Sequence, residues 1–190
     1  GTTETMYNNH FYPSRQAWSA EWEKRFPDAY GYDPEAAKKL LAEAGYSAGR
    51  PLKTNMLMIN LPDVAESADL QEAYWKAVGV DVNLVQMDIT TRQARNRQRA
   101  FDNHFTVVGT SSHQLYGIFV YQVSFFATGS TGTYHKDIDA MWPPLSRELD
   151  EKKQDVLYKQ MGDALYDAYL GVPLFWLPAE AIVNPQYVAD

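Results

Sequence analysis

Apolar positions between residues 33 and 88 recur every three or four residues, then every second residue, and then in each mode again. Asp33-Pro34-Glu35 opens the first of these stretches. Asp suits a helix N-cap, Pro the first helical position, and Glu35 the positive end of the helix dipole. The helix is predicted over residues 35–44 and stops at Gly45, which enters the left-handed region without steric cost. Residues 52–59 read as a strand. Residues 64–78 carry Leu70, Ala73, Tyr74, Ala77 and Val78 at the i, i+3, i+4, i+7, i+8 spacing, which predicts an amphipathic helix with that stripe buried. Gly79 ends it, and Val80, Val82 and Leu84 then alternate as in a strand. Strand, helix and strand with short connections predict a β-α-β unit with parallel neighbours.

The rest of the chain is less regular. Residues 1–32 mix aromatics, prolines and polar residues without a sustained period, which predicts an irregular N-terminal arm with one short turn around residues 18–24. Residues 90–101 read as an exposed helix and 105–109 as a third short strand. Residues 110–135 hold Gly, Ser, Thr and aromatics with no helical period, a long loop of the kind that is usually functional in a compact domain. Two helices follow, over 137–149 and 151–169, the second with Leu157, Met161, Ala164, Leu165 and Ala168 on one stripe. Pro143-Pro144 fall inside the first. An internal proline costs about 3 kcal/mol, so a break is expected at Trp142 with a new helical turn starting from the prolines. Residues 174–177, between Pro173 and Pro178, form an apolar strand, and the segment to Asp190 trails off. The pattern is that of an α/β domain.

Composition narrows the function classes. The 190 residues suffice for one domain with a hydrophobic core, and 45% apolar with 22% charged residues is ordinary for a globular chain. No apolar run approaches the roughly 18 residues of a membrane span. A formal net charge of −7 argues against a nucleic-acid partner. The absence of cysteine removes disulfides, thiolate nucleophiles and Cys-based zinc sites. His10, His104, His113 and His135 show no paired ligand spacing, so neither a metal nor another cofactor is expected. Ser111, His113 and one of many acids could be drawn as a triad, but almost any chain allows that. With no Gly-x-Ser-x-Gly elbow, HExxH or Walker loop, the chain reads as a non-enzyme.

The stretch Asp33-Pro34-Glu35-Ala36-Ala37-Lys38-Lys39-Leu40-Leu41-Ala42-Glu43-Ala44-Gly45-Tyr46 closely resembles a signature of the family 5 extracellular solute-binding proteins, the peptide- and nickel-type receptors of ABC importers. The resemblance continues in order through Tyr74-Trp75-Lys76-Ala77-Val78-Gly79-Val80, residues 82–87, Ile138-Asp139-Ala140-Met141, residues 158–165 and Pro173-Leu174-Phe175. It implies a type II periplasmic-binding-protein fold, a mixed sheet flanked by helices, with ligand closed between two lobes. It also implies an exported monomer, periplasmic or at the cell surface with or without a lipid anchor, that delivers its solute to a membrane permease. Family members are much longer than this chain. The resemblance therefore implies a portion of the C-terminal lobe: residues 33–178 as the solute-binding α/β part, and 179–190 leading back towards the other lobe. The implied ligand is an oligopeptide, with a sugar or opine-like solute as the alternative.

In peptide-binding relatives, a strand followed by a Gly-aromatic-acidic stretch presents an Asp to the ligand's α-amine, because a buried ammonium needs a paired carboxylate. Here Thr106-Val107-Val108-Gly109 leads into Thr110, Ser111, Ser112 and His113, with His113 near the position of that Asp. The resemblance thus implies Thr110, Ser111, Ser112, His113 and Tyr116 as ligand residues; the plain alternative is a solvated Ser/Thr turn. The missing acid, together with Tyr116, Phe119, Tyr121, Phe125 and Phe126, motivates the non-peptide alternative, since aromatic faces stack on rings. Phe125 and Phe126 read better as core. Family placement of the preceding turn near the cleft mouth adds Thr90, Thr91 and Arg92. Arg92, Arg95 and Arg99 share one helical face, and a solvated face is the commoner reading than an anion site. If the strands are parallel, the loop after Gly109 leaves on the same edge as the turns after Ile59 and Met87, where ligands of α/β sheets bind.

Overall fold

The computed structural model describes residues 3–9, 11–59, 62–98, 100, 104–106 and 135–176. In chain order the elements are β1 (Glu4–Thr5), α1 (Ala20–Tyr30), α2 (Pro34–Glu43), β2 (Leu52–Ile59), α3 (Pro62–Ala77), β3 (Val80–Met87), α4 (Ile89–Arg97), β4 (His104–Thr106), α5 (Lys136–Arg147), α6 (Glu151–Asp167) and β5 (Phe175–Trp176).

The middle of the chain folds as its periodicity predicts. Asp33 caps α2, its Oδ1 accepting the Ala36 N–H at 2.9 Å, and Gly45 follows the helix at φ +85°. β2 pairs in parallel with β3 on one side and with β4 on the other, in the order β3-β2-β4. Met56, Met58, Val80 and Val82 are buried on one face of this sheet, against Ala68 of α3. The opposite face is polar towards the amino ends: Asn83 Nδ2 donates to Asn55 Oδ1 at 2.9 Å, and Lys53 lies 3.7 Å from Asp81.

The buried stripe of α3 differs from the one expected. Leu70 and Tyr74 are 55% and 49% exposed, whereas Val64, Ala65, Ala68, Trp75 and Val78 pack on the sheet. Both sets satisfy a helical period, so spacing alone does not choose between them. Ala68, fully buried at the centre of the contact, lets the helix lie close to β2 and β3 while Trp75 fills the space beside it.

A second core gathers segments distant in sequence. Phe11, Ala17 and Trp22 pack with Ile138, Leu145, Tyr158, Met161, Leu165 and Tyr166. The expectation of an irregular arm with one turn near 18–24 is therefore corrected: α1 runs over Ala20–Tyr30, with Pro27 inside it, and its Trp22 is fully buried. Apolar positions do recur every fourth residue here, at Trp18, Trp22, Phe26 and Tyr30, and specific bonds to α6 fix the helix in place. Trp22 Nε1 donates to Asp163 Oδ1 at 2.8 Å, Tyr166 O–H to the Trp22 carbonyl at 3.2 Å, and Tyr30 O–H to the Tyr166 carbonyl at 2.7 Å. Burial pushes the Tyr30 phenol well above its ordinary range, so it remains a donor. The buried Asn8 donates Nδ2 to the Gly162 carbonyl at 3.1 Å, and the Ala17 N–H donates to Asp155 at 2.6 Å. β1 pairs antiparallel with β5, so both parallel and antiparallel pairing occur.

The proline pair does not break its helix. α5 is continuous from Lys136 to Arg147, with Pro143 and Pro144 inside it. Both prolines are exposed, while Ile138 and Leu145, seven residues apart on the other side, are buried in the second core. The carbonyls deprived of a partner lie one turn earlier, on the side the prolines leave to solvent. Apolar anchoring at both ends then outweighs the lost bonds.

Gly162 sits where α6 meets this packing: a Cβ there would lie 2.6 Å from Phe11 and 2.8 Å from Trp22. Gly162→Ala should therefore destabilise the chain by about 1–3 kcal/mol in urea denaturation through overpacking. Gly49→Ala, whose Cβ meets nothing within 4 Å, should be nearly neutral. Equal effects would show that α6 shifts freely. The two cores share no residue, so hydrogen exchange in rising urea should resolve two groups of amides, one in β2, β3 and α3 and one in α1 and α6. A single common opening energy would contradict this.

Candidate ligand-binding edge

The parallel register runs from Leu52↔Val80 to Ile59↔Met87 and from Asn55↔His104 to Leu57↔Thr106. All three strands therefore leave the sheet at one edge. The chain passes from β2 through α3 to β3 on one side, then crosses back to β4 on the other side of β2. This reversal creates a topological switch point between β2 and β4. The crevice outside the carboxyl ends at such a point is where ligands of open α/β sheets bind.

β4 points the chain the same way as β2 and β3 as far as Thr106, and the loop after Gly109, which the expectation concerned, lies beyond the described residues. Residues 107–134 lie outside the described residues, and with them Thr110, Ser111, Ser112, His113 and Tyr116, as well as Phe119, Tyr121, Phe125 and Phe126. Thr90, Thr91 and Arg92 are described, and they lie in the first turn of α4, directly beyond β3 at this edge.

Asp88 organises that turn, a role the sequence reading missed. Its Oδ1 accepts the N–H groups of Thr90 and Thr91 at 2.9 Å each, and its Oδ2 accepts the Thr91 hydroxyl at 2.5 Å. These bonds, that of the Thr91 hydroxyl first, hold the Asp88 carboxyl below the usual carboxylate range. The signal was available: an Asp immediately before a helical segment is a common N-cap. The positive end of α4 thus already carries its anion. Thr91 is occupied in the cap, while Thr90 is exposed and Arg92 half-buried. Arg95 is half-buried, and its Nη2 makes a long 3.4 Å bond to the Ala100 carbonyl. Arg99 lies outside the described residues. The helix face therefore offers no anion cradle among the described residues.

The described residues contain no group of three His, Cys, Asp or Glu that could hold a metal ion. His135 precedes α5 with Nδ1 4.0 Å from Asp137, too far for a hydrogen bond. A groove of about 490 Å³ lies at the α5–α6 turn, lined by Glu148, Lys152, Lys153, Val156 and Leu157. A smaller one of about 210 Å³ runs over Lys53, Asn55, Asp81 and Asn83 at the amino half of the sheet. Both are open hollows away from the carboxyl edge, so volume and topology point to different places.

Residues 2–128 match the bacterial extracellular solute-binding proteins, family 5 Middle. The chain belongs to this family. It is 24% identical over 178 residues to the nickel-binding periplasmic protein of Escherichia coli K12, a match covering 82% of this chain and 32% of that protein. It is 39% identical over 82 residues to the periplasmic oligopeptide-binding protein OppA of the same organism, covering 40% of this chain and 15% of OppA. The chain thus spans at most about a third of these relatives. Haemophilus influenzae OppA, solved with the peptide RPPGFSPFR, superposes with a TM-score of 0.69 at 22% identity, covering 91% of this chain and 34% of that one. HbpA2 from Haemophilus parasuis gives 0.71 at 20% identity, covering 92% and 34%. The fold is that of part of a type II periplasmic binding protein.

Asp88→Ala should lower the melting temperature at neutral pH, and Asp88→Asn, which preserves a capping oxygen, should lower it less. Because the folded carboxyl titrates below its unfolded value, its contribution is full above the unfolded pKa and is lost as pH falls through the folded one. The gap between wild type and Asp88→Ala should therefore close in strong acid. A gap that does not change as pH is lowered through the acid range would show that the carboxylate is not the stabilising species.

Proposed function

We propose that this chain is the solute-holding part of an exported solute-binding protein that serves an ABC importer, with an oligopeptide held between this lobe and a second lobe of a longer protein. Membership of the family across residues 2–128 carries the reading. The 39% identity shared with OppA over 82 residues favours a peptide. The solute would sit beyond the carboxyl ends of β2, β3 and β4, with Thr90, Thr91, Arg92, residues 110–113 and Tyr116 as its ligand residues. Binding works by population shift: contacts made only when the lobes close favour the closed state, which the permease then reads. No chemical step is involved, and the protein acts as a monomer outside the cytoplasmic membrane.

A second reading rests on the wider match to a nickel-binding periplasmic protein, which favours a metal chelate as solute. A sugar or opine-like solute stands with it, on His113 in place of an acid. Native mass spectrometry of the full-length protein, purified without refolding, separates these by the mass of the retained solute. A retained peptide supports the first reading, and a retained metal chelate or sugar overturns it.

His113→Asp in the full-length protein should raise affinity for free-amine peptides roughly ten- to a hundredfold, since a carboxylate adds a charge-assisted pair to the ammonium. Calorimetry should show the gain vanish with N-acetylated peptides. No change for either peptide type would remove His113 from the amine subsite. The isolated 190-residue chain should bind the same peptides weaker than micromolar, because half the contacts cannot offset the lost translational freedom. Micromolar or tighter binding would contradict the two-lobe site.

A further inference from the structure

We draw no further inference here: the strongest candidate, the outward apolar stripe of α3 formed by Leu70 and Tyr74 with the exposed Tyr32 against it, is an unpartnered helix face, and nothing in the structure shows what covers it.

Discussion

Parallel pairing of β2 on both of its edges is the constraint on which the functional geometry depends. Parallel neighbours cannot be joined by a tight turn, so each connection must cross the sheet, and α3 and α4 are those crossings. With β3 and β4 on opposite sides of β2, all three strands end at one carboxyl edge. Register then decides which residues reach it: Ile59 and Met87 are aligned, and Thr106 aligns with Leu57. Asp88 continues the same logic, because it closes the end of β3 into α4 and fixes Thr90 and Arg92 at that edge.

The second core does different work. It ties residues 6–30 to α5 and α6 through a dense aromatic contact, with Phe11 and Trp22 rings 4.6 Å apart and Phe11 and Tyr158 rings 4.8 Å apart. Gly162 is the point at which α6 admits those rings. Polar atoms buried there find partners across the same contact, as Asn8 does with Gly162 and Trp22 with Asp163. The Arg25–Asp167 pair, about half exposed at both ends, adds little to this, since such pairs are screened by solvent. The described residues therefore form two cores, one beneath the three-stranded sheet and one joining the N-terminal segment to α5 and α6.

How much of this was legible in the sequence depends on where each element's information lies. The bounds and the cap of α2 were readable because Asp33, Pro34 and Gly45 act locally, and a β-α-β unit follows from two periodicities side by side. The buried face of α3 was not readable, because two apolar stripes compete and only the position of the sheet selects Trp75 over Tyr74. α1 has a local period, with Trp18, Trp22, Phe26 and Tyr30 four residues apart, but it escaped because Pro27 and the irregular aromatic-rich stretch before it obscured that period. The prolines of α5 misled because a local cost was judged without the anchors at Ile138 and Leu145. At the candidate site the residue that sequence reasoning missed was Asp88, whose bonds to Thr90 and Thr91 depend on where α4 starts.

The location of the solute at this edge is tested most directly by hydrogen exchange on the full-length protein, with and without a saturating oligopeptide mixture. The account predicts new protection at residues 57–61, 88–92 and 107–116, where the three strands release the chain. Protection confined to the polar sheet face around Lys53 and Asn83, or to the α5–α6 turn around Lys152, would contradict it.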